Sequence, residues 1–348
     1  MFVSISGFDN DIEKILSLCR DKLYKPSNDE KVLQTIIEDK NGENKMMKDD
    51  ASEWGRALYY YALYGENSPY LTGLTVKELK KLSGKQLLNS FENALPFYTC
   101  ITYTGNMDPE KVATLLKDNL DLDQSKENKR LIRPIKQYDK PTIFVASNSK
   151  FLQSNIYFYK TGKTLPELED KTFCALYNEY MGGSMAGVVF QEIRELRSLG
   201  YSAYAAYQYD KLNRRPGFLM GYLGTQTDKT LEGCQAMSDL LDKFPVKPEK
   251  FEMAKTSYLR SVESDHITAR NIPDQVRSWQ EQGYQQDPRK MIIELVNNSQ
   301  INQIAEFYNI IDSPMVITIA GDKSRIDLKQ LEKTYKVVEL KYKDFVKE

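Results

Sequence analysis

Histidine is nearly missing from this chain: one residue, His266, in 348. A lone histidine cannot supply the two or three imidazoles of a typical catalytic zinc site. Charge of one sign is missing too. The 48 basic and 49 acidic residues leave a formal net charge of -1, so no electrostatic footprint for nucleic acid exists. No run approaches the roughly 20 apolar residues needed to cross a bilayer, and a soluble chain is expected. Four cysteines, Cys19, Cys100, Cys174 and Cys234, stand at least 60 residues apart. That spacing contains no C-x-x-C pair, which argues against a zinc ribbon, a thioredoxin-type site or a disulfide scaffold, and buried free thiols are expected. The first residues, Met1 to Gly7, lack the basic and long apolar regions of a signal peptide. Glycine fingerprints for phosphate are also missing. Gly84-Lys85 is followed by Gln86 and has Leu79 where a P-loop needs its first glycine, and no G-x-G-x-x-G follows a strand.

What the chain does have is a long internal repeat. Ile101-Thr102-Tyr103-Thr104-Gly105-Asn106 reads like Ile317-Thr318-Ile319-Ala320-Gly321-Asp322, at an offset of 317 − 101 = 216. Each is a β-branched run closed by glycine and a small polar residue, the pattern of a strand and turn before a helix. Each follows an amphipathic stretch, 76–94 in one copy and 300–311 in the other. Phe2 to Gly7 similarly matches Leu219 to Gly224, at an offset of 217. Amphipathic helices are expected after both, over 9–23 and 228–244. The later copy has a front segment, roughly Pro141 to Gly217, whose counterpart at this offset falls before residue 1. The expected organisation is therefore the rear of one α+β domain over 1–120, an extended polar linker over 121–140, and a complete α+β domain over 141–348.

Within the later domain the periodicities predict strands over 141–146, 152–159, 201–209 and 218–223. A helix starts at Pro166 and another spans 188–198. Helices follow over 228–244, 248–265, 272–282, 288–297 and 301–311, and one strand closes the domain over 315–320. Strands gathered first, then helices, then a returning strand describe a two-layer α+β sandwich. Its sheet is mainly antiparallel, with helices on one face. Gly182, Gly183 and Gly187 interrupt the first helical region. Their pattern fits a tight turn that needs positive φ or close backbone approach, with a flexible loop facing a ligand as the other reading. The tyrosine runs, Tyr59-Tyr60-Tyr61 with Tyr64 and Tyr157 with Tyr159, suit either a peptide-lined chamber or ordinary packing.

The segment from Phe190 to Tyr201, Phe-Gln-Glu-Ile-Arg-Glu-Leu-Arg-Ser-Leu-Gly-Tyr, carries a resemblance. A glycine pair, a helix with Arg194, then Leu-Gly-Tyr entering a strand resembles the C-terminal-half domains of the pitrilysin/insulinase zinc metallopeptidases, the inverzincins. The match runs over Met181 to Tyr207, and Trp54 to Gly65 with Tyr103 to Pro109 resembles the rear of the family's preceding domain. The resemblance implies that Arg194 and Tyr201 form the family's Arg/Tyr pair, which reaches across a closed chamber toward zinc on another half. A guanidinium offers forked donors to a peptide carbonyl, and a phenol can donate to a developing oxyanion. Without the resemblance, Arg194 could equally pair with Glu192 or Glu195, and Tyr201 could be a half-buried strand residue. The family's H-x-x-E-H motif does not occur, and position 269, three residues past His266, is alanine. The implied protein is a non-zinc-binding C-terminal portion, inactive by itself. It takes a peptide substrate and works with a zinc-bearing N-terminal half or subunit. It binds no cofactor, no nucleic acid and no membrane span. A non-catalytic structural or interaction subunit is the alternative.

Overall fold

The computed structural model describes residues 3–27, 29–96, 99–122, 132–183 and 185–348. Its one sheet has six strands: β1 (Thr142–Ser147), β2 (Gln153–Thr161), β3 (Ser202–Gln208), β4 (Phe218–Gln226), β5 (Val316–Gly321) and β6 (Lys336–Leu340). They lie in the order β3-β4-β2-β5-β1-β6. The first three neighbouring pairs are antiparallel, and β5-β1 and β1-β6 are parallel.

Period-two alternation sorts the side chains of every strand to two faces. Ile143, Val145, Ile156, Phe158, Leu219, Leu223, Ile317 and Ile319 enter one core. Phe144, Ala146, Tyr159, Phe218, Met220, Val316 and Ala320 enter a second. The first core is roofed by α8 (Leu168–Met181), α9 (Thr230–Asp242), α10 (Pro248–Ser264), α12 (Arg289–Asn298) and α13 (Ile301–Tyr308). The second is roofed by α3 (Ala51–Tyr64), with Phe345 of the short α15 (Tyr342–Phe345). The α+β class with a mainly antiparallel sheet therefore stands, with helices on both faces. The strand β6 was not expected: Lys336 and Glu339 break the apolar run that would have announced it.

α3 lies close to the sheet because its inward face is small. Ala57 and Ala62 are fully buried, and a Cβ on Gly55 would stand 2.7 Å from the Cβ of Asn155. Trp54 meets Phe151 edge-on at 5.2 Å, and Tyr59 stacks on Tyr157 at 4.8 Å. Asp50 caps the helix, accepting from the backbone N–H groups of Ser52 and Glu53.

The other helices are α1 (Ile12–Tyr24), α2 (Glu30–Asp49), α4 (Pro69–Thr72), α5 (Val76–Leu79), α6 (Gly84–Glu92), α7 (Pro109–Asn119), α11 (Ile272–Glu281) and α14 (Leu328–Leu331). They carry the repeat. α1, α2, α3 and α6 start at 12, 30, 51 and 84; adding 217 gives 229, 247, 268 and 301. α9, α10, α11 and α13 start at 230, 248, 272 and 301.

The chain forms two compact units: residues 1–43, 74–131 and 267–277, and residues 44–73, 132–266 and 278–348. Each thus takes in a segment from the other half of the chain. α3, placed by sequence in the domain over 1–120, belongs with the sheet, and the start of α11 belongs with the helices of the first unit. The strands expected over 2–7 and 101–106 are not formed among the described residues. A strand exists only against a neighbour, and no described strand of the first unit offers one. Residues 3–7 and 101–106 are instead extended or turned. Thr102 Oγ1 donates to Asp274 (3.4 Å), and Tyr103 Oη donates to Asp9 (3.1 Å). Of the expected linker, residues 123–131 lie outside the described residues. The rest is no free tether: the N–H of Lys136 donates to Leu63 O (2.9 Å) and Tyr138 Oη to Ala62 O (2.7 Å).

Candidate functional site

The segment between α8 and β3 builds the site. α8 ends at Gly182, whose N–H donates to Asn178 O at 2.9 Å. A Cβ at Gly182 would lie 2.3 Å from the carbonyl oxygen of Ala205, and one at Gly183 would lie 2.3 Å from the Glu179 carboxylate. Of the two readings of this glycine turn, close approach accounts for both positions: neither has a positive φ. The helix end is thereby seated on β3. One turn earlier, Asn178 faces Tyr207: the N–H of Tyr207 donates to Asn178 Oδ1 (2.6 Å), and Asn178 Nδ2 donates to Tyr207 O (3.0 Å).

The helix expected over 188–198 is wound as a π-helix over Phe190–Glu195. Leu196 N donates five residues back, to Gln191 O (3.0 Å). Ile193, Val188 and Val189 anchor it in the first core. The chain then reverses. Ser198 takes φ 50°, Ser198 N donates to Arg194 O (3.1 Å) and Leu199 N donates to Ile193 O (3.0 Å). Gly200 is required here, since a Cβ would lie 2.5 Å from the carbonyl oxygen of Gly224. The buried Leu199 and this contact carry the chain into β3.

That reversal brings Arg194 and Tyr201 together. The guanidinium carbon of Arg194 lies 4.9 Å from the Tyr201 ring centre and 4.7 Å from that of Phe190, within cation–π range. Tyr201 precedes β3 and is 80% exposed, so it is not a half-buried strand residue. Glu192 pairs with Lys247 rather than with Arg194, and only Glu195 approaches the guanidinium, at 3.5 Å from Nε. Among the described residues no hydrogen bond uses the Tyr201 hydroxyl or the terminal nitrogens of Arg194. The pair therefore presents a cation over a phenol ring, with the hydroxyl and the terminal guanidinium nitrogens open to a ligand.

The other candidates separate from this place. His266 is exposed just beyond α10. Among the described residues no three His, Cys, Asp or Glu side chains stand together as metal ligands. The donors of the described residues do not fit zinc. All four cysteines are free; Cys174 and Cys234 are buried and Cys100 is exposed, against the expectation of buried thiols. Burial pushes the Cys234 thiol up to about 12, which leaves it inert at neutral pH. Tyr59, Tyr157 and Tyr159 serve packing between α3 and the sheet. Among the described residues no helix is long and apolar enough to cross a membrane. The proximity of Phe190 to Arg194 was missed in the sequence; its signal is their spacing of four residues in a helical segment.

A family model described as "Peptidase M16 inactive domain" matches residues 92–258. A comparison with curated proteins found no match. Among solved structures, a peptidase M16 inactive domain from Pseudomonas fluorescens aligns at 17% identity and TM-score 0.67, over 90% of this chain and 76% of that one. The periplasmic protease PqqL from Escherichia coli aligns at 11% identity and TM-score 0.65, over 90% of this chain and 35% of that one. The ferredoxin protease FusC, solved in complex with Arabidopsis ferredoxin, aligns at 14% identity and TM-score 0.67, over 90% of this chain and 34% of that one. These likenesses establish a shared fold, and the chain spans about a third of the length of the two proteases.

Proposed function

We propose, from the match of residues 92–258 to a peptidase M16 inactive domain, that the chain belongs to the pitrilysin/insulinase (M16) family and that it encloses and orients an unfolded peptide for hydrolysis at a zinc site carried by another half or subunit. One observation carries the reading: the Arg194 guanidinium lies 4.9 Å from the Tyr201 ring centre, with its terminal nitrogens and the Tyr201 hydroxyl uncommitted to the described residues. A scaffold has no use for a preorganised cation and phenol at the surface. Arg194 would hold a peptide carbonyl through its forked donors. Tyr201 would donate its phenolic proton toward the oxygen on which negative charge develops during hydrolysis. The metal and the water it activates would be supplied by the partner.

The test mixes the chain with its zinc-bearing half and follows cleavage of an unstructured peptide. Tyr201→Phe is expected to lower kcat about 100-fold with KM little changed, and Arg194→Ala to raise KM as well. If both variants support cleavage as wild type does, these roles are wrong. If the chain instead purifies in a stable complex without peptidase activity, the structural-subunit alternative takes its place.

A further inference from the structure

At the far end of β2 from the Arg194 turn region lies a cavity of about 330 Å³, of a size that takes a small ligand. We infer that this cavity is a carboxylate site: it holds the carboxylate of a small acid or peptide residue on Arg215, with the apolar body of the ligand against Pro134, Ile135 and Pro216.

Both walls are held in place. One is the stretch from Ile132 to Tyr138, pinned to α3 by Lys136 N to Leu63 O and Tyr138 Oη to Ala62 O, and to β2 by Tyr159 Oη donating to Lys136 O (2.6 Å). The other is the link between β3 and β4. Gly162 N donates to Gly217 O (2.9 Å) and Gly217 N to Lys163 O (3.0 Å). A side chain at Gly162 would meet the Tyr207 hydroxyl at 2.4 Å, and one at Gly217 the Tyr207 ring at 2.5 Å, so the corner is closely packed.

The charges on the walls are unequal. Arg214 lines the cavity but is already neutralised: its Nε and Nη2 donate to Asp210 at 2.8 and 2.7 Å, and its backbone N–H donates at 2.8 Å. Arg215 has no such partner. Its Nη1 donates to the Tyr64 hydroxyl at 3.1 Å, and among the described residues no carboxylate lies within ion-pair distance. The half-buried guanidinium is thus aimed by the Tyr64 side chain, over whose ring it also lies at 5.9 Å, while Asp210, whose carboxylate feels its charge, is already hydrogen-bonded to Arg214. The opposite wall is lined by Ile132, Pro134, Ile135 and Gln137, with no acid among them. A cation so placed is stabilised by an anion, and a planar guanidinium matches a carboxylate. One free guanidinium between proline and isoleucine walls suits a singly charged carboxylate with an apolar body better than a phosphate, which needs more donors. The inference does not depend on the peptidase reading, because binding is measured on this chain without any partner.

The test titrates the full chain, by calorimetry, with three acetylated tripeptides of alanine and leucine: one ending in Leu with a free carboxylate, its C-terminal amide, and an amide with glutamate replacing the residue before Leu. The free acid should bind at least tenfold more tightly than the plain amide, and Arg215→Ala should lose about tenfold or more of that affinity. Arg215→Lys, which keeps the charge and tests for misfolding of the alanine variant, should retain part of it. The glutamyl amide identifies the source: binding equal to the free acid assigns a side-chain carboxylate, and weaker binding assigns a chain terminus. Equal binding of acid and plain amide, wild-type affinity in Arg215→Ala, or no binding of either carboxylate at millimolar concentration overturns the site.

Discussion

α3 and α11 occupy equivalent places in the two copies of the repeat, yet they end in opposite states. α3 buries Trp54, Gly55, Ala57, Leu58, Tyr59, Ala62 and Leu63, whereas α11 has no buried residue, and Ile272 and Val276 on it are 48% and 37% exposed. α3 is the more apolar of the two, and the helices differ also in what lies beneath them. α3 rests on a six-stranded sheet, and the first unit contains no described strand. Amphipathicity marks a face that can be buried; whether it is buried depends on the layer supplied elsewhere in the chain.

Leu58→Ala should break α3 most severely. This fully buried side chain leaves a cavity against the sheet, and a loss of about 2–5 kcal/mol is expected in urea unfolding. Val276→Ala on α11 should change stability by less than about 0.5 kcal/mol. Equal costs would erase the distinction between the helices. A second pair concerns glycine. Gly55→Ala drives a Cβ into Asn155 and should cost about 1–3 kcal/mol. Gly42→Ala in α2, where nothing lies within 4 Å of the new methyl, should stabilise by about 0.5–1 kcal/mol. A stabilising Gly55→Ala would show that α3 stands farther from the sheet than described.

The smallest effect sharpens the electrostatic side of the sheet-bearing unit. Hydrogen bonds from Arg214 hold the Asp210 carboxyl down at about 2, below its usual 3.8. A depressed carboxylate contributes stability above its unfolded pKa and loses it as pH falls toward the folded value. About 1 kcal/mol should therefore disappear between pH 4 and 2, discounted for partial exposure of the pair. Asp210→Asn should flatten that part of the acid-unfolding curve. An unchanged curve would mean that the turn contributes nothing to it.

How far these features could be read in advance follows from their range. β1, β4 and β5 were legible as short apolar runs and β2 by its alternation, and α9, α10 and α13 because their periodicity begins near an acidic cap, a proline or a glutamine. β6 was hidden by Lys336 and Glu339, which project from an edge strand with a solvated side. The exchange of α3 was beyond reach, because nothing in residues 51–64 names the sheet of residues 142–340 as its partner. The Arg194–Tyr201 spacing was visible, but their contact required the π-helix and the left-handed Ser198, neither of which leaves a compositional trace. Gly182 and Gly183 were noticed as a loop; that they seat α8 on β3 became clear only with β3 in place.

The pairing of Asn178 with Tyr207 has a consequence beyond local packing. Its amide offers β3 one donor and one acceptor, the same pair a neighbouring strand would offer. Gly182 closes over Ala205 in the next repeat of the pleat. The β3 edge is therefore occupied by the protein itself at Tyr207 and closed over at Ala205, so a second chain cannot pair with it there. At Tyr207 an incoming chain would meet the Asn178 side chain rather than free backbone groups.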